Sequence, residues 1–210
     1  MSGLSLRRLT PSIFAALVVL LVSIPAWAGP PTDFVKSRSD RLFNIINQPV
    51  GNERTKLLKD EIRSLVAYDE LAGRALGEHW TQRTDAERKQ FIQLLEDLVE
   101  LNYANRFKQS GKDLVYKVRY TDEKVRASSG QAIVKTEVDY GKEVTTLDYK
   151  LVARPGAEPT TGEFIIYDVV FDDISLEETY RDSYVPIITK QGWGELISRM
   201  KARLDELKRQ

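Results

Sequence analysis

QAIVKTEVDYGKEVTTLDYKLVAR, residues Gln131–Arg154, decides the fold. Val134, Val138 and Tyr140 alternate with Lys135, Glu137 and Asp139, and after a break at Gly141-Lys142 the pattern resumes with Leu147, Tyr149 and Leu151. A period of two puts one set of side chains on one face of a strand. A break of two turn-forming residues joins antiparallel neighbours, because parallel strands need a long crossover. The stretch therefore reads as a hairpin of two half-buried strands.

The same period extends outward in both directions. Leu114, Tyr116, Val118 and Tyr120 alternate with Lys117 and Arg119, and Lys124–Ser128 reads as a further strand before a turn at Ser128-Ser129-Gly130. After Pro155-Gly156, Glu163–Phe171 completes a predicted sheet spanning residues 113–171. One face would carry Val134, Val138, Tyr140, Leu147, Tyr149 and Leu151, joined by Tyr167 and Val169. Two readings fit that face: an ordinary core, or the wall of a cavity, since Tyr tolerates a half-wet environment.

On both sides of the sheet the period changes to that of a helix. Val35, Leu42, Ile45 and Ile46 recur at helical spacing after Thr32 or Asp33 as cap, and Gln48-Pro49-Val50-Gly51 ends that helix. Leu58, Ile62 and Leu65 mark a second helix, and a third runs from Tyr68 through Leu71, Ala72, Ala75 and Leu76 to Trp80. Thr84-Asp85-Ala86-Glu87 is a capping box, in which the hydroxyl and the carboxylate satisfy each other's backbone N–H groups. It opens a long helix with Phe91, Leu94, Leu95, Leu98 and Leu101 on one face, reaching Phe107 and stopped by Gly111. Helices return over residues 175–208. The fold class is α+β: a helical layer (residues 32–110) and C-terminal helices packed on a curved antiparallel sheet of four or five strands, NTF2-like or cystatin-like, enclosing an apolar pocket if the Tyr-rich face is a cavity wall.

Residues 1–28 read as an export signal. Arg7 and Arg8 precede an apolar run from Ile13 to Ile24, and Ala26-Trp27-Ala28 has the small-x-small pattern of a signal-peptidase site. The run is far short of the roughly 20 residues that span a bilayer. Cleavage after Ala28 would leave one domain, Gly29–Gln210, outside the cytoplasm, and the cell compartment that fits is a bacterial periplasm.

Composition removes much chemistry. With no Cys and one His, thiolate zinc sites, disulfides and Cys nucleophiles are excluded. The balance of 31 Lys+Arg against 31 Asp+Glu gives no electrostatic reason to bind nucleic acid. His79 has no second His and reads as a residue at a helix end. Asp168, Asp172 and Asp173 are close enough in sequence to suggest a hard cation, but acids are common where a strand gives way to a loop, and no metal site is assigned. Neither a glycine-rich phosphate loop nor a GxSxG elbow is present. Asp148 and Asp168 remain as acids for an enzyme on an NTF2-like scaffold, although simple alternation turns both away from the Tyr-rich face. No catalytic residue and no cofactor is assigned.

Two groups of residues carry a family resemblance. Leu76-Gly77-Glu78-His79-Trp80 precedes the Thr84-capped helix with Arg88, Phe91 and Tyr103. Tyr167-Asp168-Val169 precedes Ile174-Ser175-Leu176, Tyr180-Arg181, and then Gly194 with Leu196. Their order and spacing, from about residue 33 to 207, resemble the MlaC family of toluene-tolerance or ABC-transporter auxiliary proteins. The resemblance implies a soluble periplasmic phospholipid carrier with phospholipid as cargo. Its implied partners are an outer-membrane lipoprotein complex and an inner-membrane ABC transporter carrying an MCE-domain protein. The implied role is to maintain outer-membrane lipid asymmetry. A hopanoid-associated branch leaves the cargo lipid open. The lipid pocket is assigned to the sheet residues named above together with Leu76, Trp80, Phe91 and Leu95. One departure stands out: Asp172-Asp173 occupies a place where members usually have an acid followed by Gly, which puts the local turn in question.

Overall fold

The computed structural model describes residues 29–108, 117–139, 144–158 and 160–209. The export signal, the stop at Gly111, the strand start at Leu114 and Tyr116, the pocket residue Tyr140 and the Gly141-Lys142 turn lie outside them, as does the side chain of Phe107. No described helix is long and apolar enough to cross a membrane.

Seven helices are described: α1 (Pro30–Ile46), α2 (Asn52–Leu65), α3 (Tyr68–Leu76), α4 (Glu78–Thr81), α5 (Asp85–Lys108), α6 (Leu176–Gln191) and α7 (Trp193–Lys208). Five strands, β1 (Lys117–Arg126), β2 (Gln131–Asp139), β3 (Val144–Ala153), β4 (Phe164–Phe171) and β5 (Ile174–Ser175), form one antiparallel sheet in sequence order. This is the α+β class expected from the sequence.

The helix starts follow from local chemistry. Pro30 and Pro31 open α1, where a missing N–H costs nothing, and the distant Glu123 carboxylate accepts from the Thr32 N–H at 2.8 Å. The capping box forms as expected: Glu87 N–H donates to Thr84 Oγ1 at 3.3 Å, and Thr84 N–H donates to Glu87 Oε2 at 2.8 Å. The predicted third helix does not reach Trp80. Gly77, at φ +52°, closes α3 and lets α4 start in a new direction.

Strand readings differ in two places. The stretches ending at Tyr120 and starting at Lys124 are one strand, β1, with a bulge between Tyr120 and Asp122 that absorbs the break in alternation. A short strand, β5, appears where a loop leading into a helix from residue 175 was expected, because Phe171 pairs with Ile174 across a two-residue turn. Asp172 and Asp173 both take positive φ, 45° and 65°, the geometry of a tight hairpin turn that usually recruits Asn or Gly. Asp172 offsets the strain by accepting from Thr146 N–H at 2.9 Å, while its own N–H donates to Thr146 O at 3.1 Å.

Apolar burial divides into two main cores. One is entirely helical and gathers Leu71, Leu76, Phe91, Leu95, Val99, Leu196 and Met200. The other joins Phe34 and Val35 of α1 and Leu65 of α2 to Ala132, Val134, Leu151, Phe164 and Ile166 of the sheet. They meet through half-buried Leu42 and Val66. At this joint the chain between α2 and α3 runs beside β4: Val66 bridges Ile166, and Ala67 N–H donates to Ile166 O at 2.7 Å.

Among the described residues Asp173 has no hydrogen bond comparable to that of Asp172, so its left-handed backbone is strain without return. Asp173→Gly should raise unfolding stability by roughly 0.5–1 kcal/mol. A urea midpoint that stays put or falls would show that the Asp173 carboxylate earns its place.

Candidate lipid site

A partly open cleft of about 560 Å³ lies beside the α2–α3 link, the end of β3 and the start of β4. Its apolar lining comes from Val66 and Ala67 in the joint, Ile92 of α5, and Val152 and Ile165, which pair across β3 and β4. Tyr68 lines it from the first turn of α3, and Arg63, Asp69, Glu70, Glu96 and Arg154 supply charge around it.

Most of that charge is already paired. Arg63 forks onto Glu100 at 2.8 and 2.9 Å and also meets Glu96 at 2.5 Å, fastening α2 to α5. Burial pushes the Glu100 carboxyl above its usual range, and the Arg63 guanidinium opposes the shift. Glu70 is held by Arg74 at 2.8 Å. Arg154 donates to Ser64 O at 2.9 Å, near the C-terminal end of α2, where a cation suits the helix dipole.

The sequence-assigned pocket residues fall into groups. Val134, Val138, Leu147, Tyr149, Leu151 and Val169 do share one sheet face, as their pairing shows. Val134 and Leu151 are fully buried in the sheet core, whereas Leu147, Tyr149 and Val169 are half-buried. Leu76, Phe91 and Leu95 are buried in the helical core, and Trp80 packs at its margin, edge-on to Phe91.

Tyr167 requires a correction. Ile166 pairs with Leu151 and Asp168 with Lys150, so Tyr167 is the extra residue of a bulge and leaves the face of Val169. Its ring instead lies under the Arg74 guanidinium, 4.2 Å from ring centre to Cζ.

None of these residues is among those lining the cleft. The sheet residues that do line it, Val152 and Ile165, belong to the face opposite Leu151 and Ile166. The signal that marks them is the unbroken apolar run at Leu151-Val152-Ala153 and again at Phe164-Ile165-Ile166. Consecutive apolar positions indicate a strand covered on both faces, which a strict alternation misses. Val66-Ala67, an apolar link between two helices, was the other available clue.

The suggested acids are structural. Asp168, with a side chain 0% exposed, accepts from Lys150 Nζ at 2.8 Å, Ser175 Oγ at 2.7 Å and Glu177 N–H at 2.9 Å. Ser175 in turn caps α6 through the Glu178 N–H at 3.1 Å. Asp148 faces Lys135 at 3.6 Å, and Asp172 serves the β4–β5 turn. His79 makes a long contact with Thr189 at 3.4 Å.

A family model described as MlaC protein matches residues 36–202. The chain belongs to the MlaC family. A Haemophilus influenzae relative, the intermembrane phospholipid transport system binding protein MlaC, is 23% identical, with 96% of this chain and 95% of the relative covered. A Ralstonia solanacearum phospholipid-binding protein, solved in complex with a phospholipid, superposes with a TM-score of 0.71 at 21% identity. The superposition covers 86% of this chain and 99% of that one, which establishes a shared fold. Within this MlaC-family chain, Asp172-Asp173 still closes a regular hairpin despite lacking the Gly usual there.

Removing the Asp168 carboxylate strands Lys150 and releases the α6 cap together. Asp168→Ala should cost about 3–5 kcal/mol of unfolding stability. A loss below about 1 kcal/mol in chemical denaturation would mean that the cluster is relaxed by water.

Proposed function

We propose that the protein is a soluble phospholipid carrier of the periplasm, loaded by one membrane complex and unloaded by another. The observation that carries this reading is the cleft beside the α2–α3 link, with an apolar lining of Val66, Ile92, Val152 and Ile165 under a charged rim, in a chain of the MlaC family. The names of its Haemophilus and Ralstonia relatives, one a phospholipid transport binding protein and the other a phospholipid-binding protein, point the same way.

Energetics make such a carrier necessary. Each buried methylene is worth about 0.8 kcal/mol, so a chain of around 16 carbons holds a lipid in its membrane by on the order of 13 kcal/mol. Unaided passage through water is prohibitively slow, and a carrier must hide the tails. A methylene occupies about the volume of a water molecule, ~30 Å³, so the cleft of about 560 Å³ accommodates roughly one acyl chain. A second chain needs additional room, and the half-buried Leu147, Tyr149 and Val169 on the other sheet face offer apolar surface that is incompletely packed. The acids once suited to catalysis are spent on ion pairs and caps, which favours binding over chemistry.

In this reading the donor and acceptor are an outer-membrane lipoprotein complex and an inner-membrane ABC transporter with an MCE-domain protein. The signal at residues 1–28 delivers the chain to the space between them, where its traffic sustains outer-membrane lipid asymmetry.

Protein purified gently from the periplasm should carry phospholipid, detected as added mass in native mass spectrometry and identified after extraction. A bare-protein mass in every preparation would refute the carrier role. Two substitutions then separate lining from core. Leu147→Glu should deplete bound lipid at least several-fold with a near-native melting curve, whereas Leu151→Glu, at a fully buried position, should abolish folding. Lipid retained by a folded Leu147→Glu protein would remove that sheet face from the site.

A further inference from the structure

The Tyr68 hydroxyl is a buried donor with nothing to donate to. Tyr68 is 7% exposed and lines the cleft, yet its Oη has no hydrogen-bond partner among the described residues. Leaving such a group unsatisfied is costly, and Phe would fill the same space without that cost. The nearby acids do not explain it, because both Glu100 oxygens already accept from Arg63 and Glu96 is drawn to the same guanidinium. Burial holds the phenol far above its usual pKa, so it remains a proton donor at any physiological pH.

Arg154 offers the second unmatched group. It lies at the end of β3 on the sheet side of the cleft, half-exposed, and its guanidinium donates to the neutral Ser64 carbonyl. Among the described residues no carboxylate pairs with it. We propose that Tyr68 Oη donates a hydrogen bond to an ester carbonyl of the bound lipid, while the Arg154 guanidinium takes its phosphate. This rests on the carrier reading above.

Depth assigns the two roles. The deeper, neutral donor meets the neutral carbonyl just above the acyl chains, and the half-exposed cation meets the charged phosphate, whose full burial would be prohibitive. Apolar tails are seated below on Val66, Ile92, Val152 and Ile165. Asp69, Glu70 and Glu96 share the rim, so it is no basic funnel, and a free phosphate ion without tails gains little there.

The test compares lipid-free and loaded forms of the wild type, Tyr68→Phe and Arg154→Gln. The loading probes are a fluorescent-tailed phosphatidylglycerol and a diacylglycerol with the same tails, each released to phosphatidylcholine vesicles. Tyr68→Phe should melt, when lipid-free, at or above the wild-type temperature, and should release both probes roughly five-fold faster. Arg154→Gln should release the phosphatidylglycerol about ten-fold faster and leave diacylglycerol release unchanged. Inorganic phosphate at millimolar concentration should not slow loading.

A lower melting temperature for lipid-free Tyr68→Phe with unchanged release would show a structural hydroxyl and overturn the proposal. So would equal effects of Arg154→Gln on both probes, or competition by inorganic phosphate. If the wild type binds phosphatidylglycerol but neither substitution alters its release, this inference falls and the carrier reading stands. A wild type that takes up neither probe overturns both.

Discussion

Two apolar cores that share no buried residue meet through the half-buried Leu42 and Val66, and polar, directional contacts fasten the joint. Ala67 N–H to Ile166 O ties the α2–α3 link to the sheet edge, and Arg154 to Ser64 O ties the end of β3 to α2. Asp168 binds Lys150 of β3, Ser175 of β5 and the first turn of α6 at once. The neutral Ala67 bond contributes about 1 kcal/mol net, and the bonds to the Asp168 carboxylate and from the Arg154 guanidinium roughly 1.5–3 kcal/mol each. The same α2–α3 link, through Val66 and Ala67, also lines the cleft, so the joint between helices and sheet borders the candidate site.

Much of this was written locally in the chain. The Thr84–Glu87 box, the turn at Ser128-Ser129-Gly130, with Gly130 at φ +65°, and the alternation of β2 and β3 each follow from residues within one turn or hairpin. What escaped the reading are places where a single residue shifts the count. The bulge at Tyr120/Asp122 fuses two apparent strands, and the bulge at Tyr167 moves a tyrosine off the face that its spacing assigned. A bulge depends on pairing with a neighbouring strand, so the strand's own pattern does not reveal it. Asp172-Asp173 hid β5 for a related reason: neither residue advertises the positive φ that both adopt.

The site was less legible than the fold because no single element owns it. Ile92, Val66, Val152 and Ile165 come from a long helix, an interhelical link and two strands, and none is unusual in its own segment. Periodicity identifies which residues leave water, and it does so correctly for Phe91, Leu95, Val134 and Leu151. It does not distinguish a residue buried against protein from one waiting for a ligand. That distinction comes from satisfaction rather than burial: a phenol without an acceptor, a guanidinium without a carboxylate.

A carrier of the kind proposed has to bind strongly enough to extract lipid yet release it on arrival, and linkage would let this arrangement meet both demands. Cargo that binds the folded protein and not the unfolded chain adds stability in proportion to its affinity. The empty protein then bears the unsatisfied hydroxyl and the incompletely packed sheet face alone. That burden is tolerable because the Asp168 cluster and the fully buried cores, with Phe91 and Leu196 in one and Phe164 and Leu151 in the other, hold the architecture without help from the cleft. In the proposed role, loading and unloading would change the energy of the cleft while leaving each buried core intact. A receiving complex needs only to bind the emptied arrangement better than the loaded one, because a partner shifts an equilibrium by its differential affinity alone.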